Sequence, residues 1–226
     1  MSTSVNSKVE GKSDRPIELL EKNIPRQERA IKTYEGILKA TADLLIEVGL
    51  ERISTNLIAE RAGVTVPALY RYFPNKYSVL NTLGARLIDR QNEAMANWHE
   101  TYVAGQSIDY MLDNLYALIN AAYLSVHKFS GGLEILYGMQ ALGPLRATRL
   151  KNHRDIADAF GMMWCEEYGA TYTEDVRRKA RVAVQLGYMP VQLLLEDENL
   201  DQEAVMREGA LALRLYLQTT MQPLNK

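Results

Sequence analysis

The chain has 226 residues, of which 47% are apolar and 24% are charged, and its formal net charge is −2. This length and composition allow one or two domains with a full hydrophobic core. The small net charge argues against a protein that coats nucleic acid by bulk charge alone. Residues 26–81 hold eight basic residues against six acidic ones, whereas residues 82–226 hold fourteen against eighteen. A mildly basic N-terminal part on an acidic remainder suits a small, local contact with DNA.

Several functional classes lack their usual residues. Cys165 is the single cysteine, so neither an intramolecular disulfide nor a Cys-rich metal site can form. No spacing of His, Asp and Glu suggests a metal site, and no glycine-rich loop or nucleophile constellation suggests catalysis. We therefore expect no metal, no cofactor and no enzymatic activity.

The N-terminal 25 residues are polar and contain two prolines. They carry charges throughout and lack the apolar segment of a signal peptide, and no apolar run in the chain reaches the ~20 residues that span a bilayer. We expect a cytoplasmic protein that does not bind membranes. Residues 1–25 are predicted to form a flexible arm, with at most one helical turn near Ile17–Leu20.

From Arg26 to Gly49, apolar residues recur at three- and four-residue spacing, which predicts an amphipathic helix closed by the glycine. Ser54 or Thr55 then caps a short helix, which Gly63 ends. This order of signals predicts the first two helices of a helix-turn-helix unit.

Thr65 caps the second short helix, and Pro67 falls in its first turn, where a missing N–H costs nothing. Pro74 is expected to end this helix, because the residue before a proline disfavours the α conformation. Asn75 then caps a long helix that runs from Lys76 to about Val103.

The rest of the chain stays helical. Caps, glycines and prolines divide it into five further predicted helices, over about residues 107–128, 132–142, 144–168, 173–195 and 201–221. Pro190 should kink the fourth of these, and Gly161 lies at a possible bend in the third. The chain is thus predicted to be all-α, with nine or ten helices and no strand.

The last two long helices are apolar on nearly every side. A helix of this kind must be covered on every side. We expect a second copy of the chain to cover it across a two-fold axis. The alternative is that these helices lie at the centre of the monomer's own core.

The second short helix has the features of a helix that reads the DNA major groove. Val66, Pro67 and Ala68 are small enough to approach thymine methyl groups. Arg71 carries the fork that matches guanine or phosphate. Lys76, in the first turn of the next helix, adds a positive charge to free backbone N–H groups and suits a phosphate. An ordinary helical hairpin would share only the glycine turn.

Four features together closely resemble the N-terminal DNA-binding domain of the TetR (tetracycline-repressor) family of bacterial regulators. They are the capped start, the proline in the first turn, the Leu-Tyr-Arg-Tyr-Phe run of residues 69–73, and the Pro-Asn-Lys of residues 74–76. The resemblance covers about residues 28–90. It implies DNA contacts by Thr55, Thr65, Val66, Pro67, Tyr70, Arg71, Tyr72 and Lys76.

The resemblance also implies an architecture. A three-helix DNA-binding domain over residues 26–75 precedes a larger helical ligand-binding and dimerisation domain over residues 76–226. Family members are homodimers that bind a palindromic operator, usually repress transcription, and hold a small-molecule effector. Two reading helices then need to lie about 34–36 Å apart to enter successive major grooves. An effector that binds a wider-spaced state more tightly would release the DNA.

Aromatic and methionine residues are frequent between residues 110 and 189, which suits a mainly apolar effector held by a few hydroxyl or amide groups. Any one of these residues could belong to the core or to a subunit interface instead. The predicted pocket residues are Tyr110, Tyr123, His127, Tyr137, Met163, Trp164, Gln185 and Tyr188.

We therefore expect a one-component transcriptional regulator, acting as a repressor that a small, mainly apolar molecule releases from DNA. The alternative is a DNA-bound dimer that recruits a protein partner and binds no effector. A third reading, an enzyme with a helical hairpin at its N-terminus, is disfavoured because no catalytic cluster is present.

Overall fold

The computed structural model describes residues 17–221, which form ten α-helices and no strand. This confirms the all-α prediction. The helices are α1 (Glu28–Arg52), α2 (Thr55–Arg61), α3 (Val66–Tyr70), α4 (Lys76–Tyr102), α5 (Ile108–Asp113), α6 (Leu115–His127), α7 (Gly132–Ala141), α8 (Gly143–Glu167), α9 (Glu174–Glu196) and α10 (Gln202–Thr220). No described helix is both long enough and apolar enough to cross a membrane.

Helices α1 to α3 form the helix-turn-helix unit, and their boundaries follow local signals. Gly49 interrupts α1 with φ 74° and ψ 171°, a backbone conformation that residues other than glycine rarely adopt. Ser54 caps α2 by accepting a hydrogen bond from Leu57 N at 3.3 Å. Helix α3 has only five residues and ends at Tyr70, earlier than Pro74 requires, because Tyr72 N bonds to Leu69 O, three residues back, as in a turn.

Helix α4 connects this unit to the rest of the molecule. Asn75 and Ser78 form a reciprocal capping box at its start, as the sequence predicted for Asn75. Its 27 residues correspond to a length of about 40 Å. Leu80, Leu83 and Leu87 on one face are buried, so the helix is anchored by packing along its N-terminal half.

The body differs from expectation at one break, and one of its helices contains a proline. The predicted helix over residues 107–128 is two helices, separated at Asn114 (φ −108°, ψ 17°). The Asn114 carbonyl accepts a hydrogen bond from the Trp98 indole N–H at 3.1 Å, a long-range contact that sequence periodicity does not reveal. Helix α9 passes through Pro190 as one helix. Gly209 in α10 makes room for the proline ring, since a Cβ there would lie 2.6 Å from Pro190 Cγ.

Residues 17–25 precede α1 and contain no helical turn, which agrees with the prediction of at most one turn near Ile17–Leu20. We call this segment the N-terminal strap. Hydrogen bonds tie it to the turn after α3 and to α4, which the composition of a polar arm did not suggest. The remainder of the predicted flexible arm, residues 1–16, lies outside the described residues.

The hydrophobic core is continuous between the helix-turn-helix unit and the body. One buried cluster joins residues of α1, α2 and α4 to residues of α6, α7, α9 and α10. A second buried cluster lies at the far end of α4, around Trp98 and Trp164. A movement of α4 is therefore transmitted through packed side chains at both of its ends.

Candidate DNA-binding surface and effector cavity

The reading helix α3 presents an exposed tyrosine next to an exposed arginine. The Tyr70 side chain is 41% exposed, and its hydroxyl lies 3.1 Å from Thr55 Oγ1. This hydrogen bond joins α2 to α3 and orients the tyrosine hydroxyl. Arg71 and Pro67 are also exposed. Pro67, Tyr70 and Arg71 lie three and four residues apart on the exposed side of this segment, and the hydrogen bond places Thr55 beside Tyr70; their contact with DNA stays a prediction.

Arg71 is available for an external anion. Among residues 17–221, its guanidinium forms no ion pair and no hydrogen bond. Arg61 and Arg86 differ, because each binds a glutamate through two hydrogen bonds, to Glu47 and to Glu35. The arginine partner lowers the pKa of each of these carboxyl groups.

Thr65 and Val66 begin the reading helix. Thr65 Oγ1 accepts a hydrogen bond from Ala68 N at 3.3 Å and so caps α3. Its own O–H is left to donate to another acceptor. Val66 is half-buried against the core, while part of its side chain remains at the surface.

Tyr72 does not belong to this surface, and its predicted DNA contact is wrong. Only 6% of the residue is exposed. Its ring packs edge-on against Tyr34 of α1, with 5.9 Å between ring centroids. The short α3 turns the chain after Arg71, so Tyr72 and Phe73 point into the core while Tyr70 points out.

Lys76 lies at the first turn of α4, as predicted, but one of its N–H groups has an internal partner. Nζ donates to the Ile53 carbonyl at 3.0 Å. This bond fixes the ammonium group between the start of α4 and the start of α2. An ammonium has three N–H donors, so two remain for an anion.

A cavity of about 280 Å³ lies in the body between α4, α6, α8, α9 and α10. Its walls are almost entirely apolar, with Gln91, His99 and the Tyr188 hydroxyl as the main polar side-chain groups. No Asp, Glu, Lys or Arg is among the lining residues. The lining residues are Gln91, Met95, Trp98, His99, Leu115, Leu118, Ile119, Ala121, Ala122, Ile156, Ala159, Phe160, Met163, Ala183, Val184, Gly187, Tyr188, Leu213 and Leu217.

Two of the eight predicted pocket residues, Met163 and Tyr188, line this cavity. Tyr110 and Tyr137 instead point to solvent, with 43% and 39% of their surface exposed. Gln185 is also exposed. These three predictions fail because the residues lie on the outer faces of their helices.

The remaining predicted pocket residues have internal partners. Tyr123 stacks on His127, with 5.0 Å between ring centroids, on a face of α6 away from the cavity. Trp164 is buried, and its indole N–H donates to the Met221 carbonyl at 2.6 Å. It therefore belongs to the core rather than to the cavity wall.

The sequence prediction missed the wall that α4 contributes. Gln91, Met95 and Trp98 continue the buried stripe of Leu83 and Leu87 at three- and four-residue spacing. That spacing was a usable signal. Trp98 also lines a groove open to solvent between α4 and α6, so its side chain separates the cavity from solvent.

The ring of Tyr188 stacks on the ring of a histidine. His153 stacks on it with ring planes 3° apart and centroids 4.6 Å apart, and His153 Nδ1 accepts a hydrogen bond from Gln185 Nε2 at 3.0 Å. Burial, helped by the nearby Arg149 charge, lowers the pKa of His153 to about 4. Burial raises the pKa of Tyr188 to about 12. Both rings are therefore neutral at pH 7.

An apolar stripe on α9 and α10 faces solvent in the single chain. Its members are between 41% and 52% exposed and recur at helical spacing; they are Val182, Met189, Leu193, Leu211 and Leu215. The opposite faces of both helices are buried in the core, as in Ala183 and Leu213. Contiguous exposed apolar residues of this kind are typical of interaction sites.

The helix-turn-helix unit matches a protein family. The model of bacterial regulatory proteins of the tetR family matches residues 37–83. The tetracycline repressor protein class A from transposon 1721 of Escherichia coli is 28% identical over 173 residues, which are 76% of this chain and 70% of that protein. A TetR-family transcriptional regulator from Streptomyces coelicolor has a solved structure 26% identical in sequence, with a TM-score of 0.58 over 83% of this chain and 99% of that one.

The chain belongs to the TetR family.

It is thus a TetR-family transcriptional regulator with a DNA-binding helix-turn-helix, and the family predicted from the sequence is confirmed. The matched residues 37–83 contain every predicted DNA contact and end before the cavity wall begins at Gln91. A TetR-like regulator from Rhodococcus sp. RHA1, 17% identical, shares the fold with a TM-score of 0.64 over 86% of this chain and 99% of that one. The fold therefore resembles that of this regulator although the two sequences have little identity.

Proposed function

We propose that this TetR-family regulator is a repressor that binds a palindromic operator as a homodimer and leaves it when a neutral, mainly apolar molecule enters the cavity. The observation that carries the proposal is the position of α4. Its first residue, Lys76, lies beside the reading unit, and its later residues Gln91, Met95 and Trp98 form one wall of the cavity.

The DNA contacts proposed for the reading unit follow from exposure and free donors. Arg71 has the only guanidinium on α3 and its flanking turn, so we assign it to a guanine edge or a phosphate. Thr55, Thr65 and Tyr70 offer hydroxyls, and Lys76 offers two N–H groups, for phosphate oxygens. Val66 and Pro67 provide the apolar contact to base edges.

The homodimer is proposed from the apolar stripe on α9 and α10. Val182, Met189 and Leu193 follow one another at seven and four residues, which places them on one face of α9. Leu211 and Leu215 extend this face on α10. A second copy presents the same stripe, so a two-fold axis between the copies buries both at once. Two reading helices on one rigid dimer require an operator with two-fold symmetry.

The proposed effector is neutral because of what lines the cavity. An ion buried without a partner costs several kcal/mol, and no charged side chain lines the wall to compensate it. Gln91, His99 and the Tyr188 hydroxyl can each form one or two hydrogen bonds with a polar group of the ligand. Trp98 and Phe160 add flat faces that suit an aromatic ring.

A structural neighbour has been solved with a small molecule bound. SmeT, which is 20% identical and has a TM-score of 0.59 over 86% of this chain and 99% of that one, has a solved structure as a complex with triclosan. At this identity the likeness shows the fold alone. The neutral character of the effector therefore rests on the lining residues of this chain.

The proposed release mechanism is a change in α4. A ligand that fills the space beside Gln91, Met95 and Trp98 favours positions of α4 that accommodate it. Because α4 begins at the reading unit, the distance between the two reading helices of a dimer changes with it. The effector lowers operator affinity by the ratio of its affinities for the two states.

Four experiments test the proposal. Selection of bound duplexes from a random pool should return a two-fold symmetric sequence, and light scattering should report a dimer. A thermal-shift screen of neutral aromatic compounds should yield ligands that raise the melting temperature and lower duplex affinity. The variant Ala183→Leu, which narrows the cavity, should bind the duplex normally and lose the response to these ligands.

A monomer in solution, or an asymmetric selected sequence, would contradict the homodimer. If no neutral compound stabilises the wild-type protein while a cellular protein binds the DNA-bound dimer, the effector part of the proposal fails. Retention of the full ligand response in Ala183→Leu would show that the ligand binds elsewhere.

A further inference from the structure

The N-terminal strap (residues 17–25) lies across the joint between the reading helix and α4. The backbone N–H of Lys22 donates to the Tyr72 carbonyl at 2.7 Å. The side-chain amide of Asn23 donates to the Arg71 carbonyl, also at 2.7 Å. Both acceptors belong to the turn that follows α3, so the strap fixes the backbone from which Arg71 projects.

The strap is also bonded to the other side of this joint. The side-chain amide of Asn75, the N-cap of α4, donates to the Glu18 carbonyl at 2.9 Å. The side-chain amide of Asn81, one turn into α4, donates to the Leu19 carbonyl at 3.3 Å. The strap therefore connects the end of the reading helix to the start of α4 independently of residues 71–75 that join them covalently.

Tyr34 of α1 anchors the middle of the strap. Its hydroxyl donates to the Glu21 carboxylate, and its ring stacks on Phe73 with centroids 5.1 Å apart. Burial and the neighbouring Glu21 raise the pKa of the Tyr34 hydroxyl, so it remains a donor. The strap thus contacts a buried residue of the reading unit as well as backbone carbonyls.

Asn81 continues this set of contacts into the body. Its amide oxygen accepts a hydrogen bond from Thr148 Oγ1 of α8 at 3.3 Å. Helix α8 also supplies Ile156 and Phe160 to the cavity wall. One asparagine therefore touches the strap through its nitrogen and a cavity helix through its oxygen.

We propose that Asn81 and the strap residue Asn23 are positioning residues, which make the reading helix move with α4 and α8 as one body. Without them, the turn over residues 71–75 would absorb a displacement of α4 by changing its own backbone angles. The hydrogen bonds from Asn81 to Leu19 and from Asn23 to Arg71 prevent this. The inference rests on DNA binding by the helix-turn-helix unit.

The first test is the variant Asn23→Ala, with Leu20→Ala as its control. Leu20 lies in the same strap, is 75% exposed and forms no side-chain hydrogen bond. Affinity is measured for a duplex selected by the wild-type protein and for an unrelated duplex of equal length. For Asn23→Ala we expect the Kd of the selected duplex to rise about fivefold, the equivalent of one hydrogen bond of about 1 kcal/mol.

The unrelated duplex distinguishes positioning from loss of folded protein. Its Kd should change less than twofold, because non-specific binding is a sum over many phosphate contacts that tolerate a small displacement of one side chain. An equal loss on both duplexes, or no loss on either, overturns the proposal. In an Arg71→Ala background, Asn23→Ala should add less than twofold, since the group that it positions is gone. Full additivity of the two substitutions contradicts this.

The second test addresses Asn81 and needs neither operator nor effector. Backbone amide exchange is measured for Lys22 and for residues 66–75 in Asn81→Ala, with Asn92→Ala as the control. Asn92 also links α4 to α8, through Asn152 Oδ1 at 3.2 Å, but does not touch the strap. We expect exchange to accelerate about fivefold in Asn81→Ala and to stay unchanged in Asn92→Ala.

Thr148 gives the matching pair of variants on α8. Thr148→Ser keeps the hydroxyl, so backbone amide exchange of Lys22 and residues 66–75 should stay at the wild-type rate. Thr148→Val removes the hydroxyl and should accelerate amide exchange in the same segments. Equal effects of Asn92→Ala and Asn81→Ala would mean that general packing of α4 on α8 is responsible, which overturns the proposal. If the wild-type protein selects no duplex, the proposed function fails, while the exchange data still decide whether the strap restrains the joint.

Discussion

The reading helix and the helices on either side of it in sequence begin with a side-chain cap, whereas two walls of the cavity begin without one. Ser54, Thr65 and Asn75 cap α2, α3 and α4; among the cavity walls, α9 and α10 are capped by Thr173 and Asp201, but no side chain caps α6 or α8. All cavity helices are held by apolar packing between distant segments. The DNA-binding end is therefore specified by neighbours in sequence, and the cavity end by contacts between distant segments.

The DNA-binding end and the cavity end also differ in the exposure and charge of their polar side chains. Arg71, Tyr70 and Thr55 present donors to solvent at the DNA-binding end. At the cavity end, His153 is kept neutral and no charged side chain lines the wall. Under the proposed function, the DNA contact is then electrostatic, and effector recognition depends on shape and apolar area. Four predictions test it, beginning with the largest expected effect.

Truncation of a large side chain should lower the free energy of unfolding far more in the core of the helix-turn-helix unit than at the cavity wall. Phe73 is fully buried, so Phe73→Ala should lower the free energy of unfolding by about 3–5 kcal/mol. Met163 borders empty space on one side, so Met163→Ala should lower it by about 1 kcal/mol. Urea denaturation at one fixed protein concentration measures both. Equal losses would show that the cavity is filled or collapsed in solution.

The neutral histidine at the cavity end should make stability depend on pH. Its pKa is about 4 in the folded protein and about 6.5 when unfolded, so the unfolded chain binds the extra proton between these values. The free energy of unfolding should therefore fall by about 3 kcal/mol as the pH drops from 6.5 to 4. His153→Gln removes this part of the pH dependence.

The control for this titration is His127→Gln, which replaces an exposed histidine on α6. It should leave most of the pH dependence in place. The comparison uses the difference between each variant and wild type, because carboxyl groups titrate over the same range and cancel. An identical pH profile for wild type and His153→Gln would show that His153 is accessible to protons in the folded protein.

Substitution of an arginine should weaken DNA binding when the arginine lies beside the reading helix, but not when it lies in the body. Arg71→Ala should weaken binding to a selected duplex by about 10- to 100-fold, the range for one base contact of about 1–3 kcal/mol. Arg154→Ala, which removes an exposed arginine from α8 in the body, should change it less than twofold. Fluorescence anisotropy at fixed salt concentration measures both affinities. A comparable loss in the two variants would mean that total charge, rather than local geometry, determines binding.

The smallest expected effect concerns the cap of the reading helix. Thr65→Ala removes the acceptor for Ala68 N and should lower the free energy of unfolding by about 1 kcal/mol. Thr65→Ser keeps the acceptor and should remain close to wild type. Chemical denaturation of the two variants gives the comparison. If serine were as destabilising as alanine, packing of the threonine methyl group would be the cause instead of the cap.

The sequence by itself determined the helix-turn-helix unit and the family, because their signals are local. A cap, a glycine turn or a proline acts on residues within one or two turns, so the starts of α2, α3 and α4 could be predicted from neighbouring residues. The same reasoning found the exposed surface around Tyr70 and Arg71. It also found that α9 and α10 carry apolar residues on more than one face, whereas the stripe formed by the exposed ones is visible only in the structure.

Only the tertiary structure decided which of several similar side chains are buried. Tyr70 and Tyr72 are two residues apart and chemically identical, yet Tyr34 of α1 buries only the second. The spacing along α4 shows that Gln91 and Trp98 lie on its buried face, but the cavity is formed where five helices meet, so only the tertiary structure shows that this face borders open space. The strap follows the same rule, because its partners Tyr72 and Asn81 lie fifty or more residues further along the chain. Contacts between distant segments depend on how the helices pack together, and no local pattern encodes that packing.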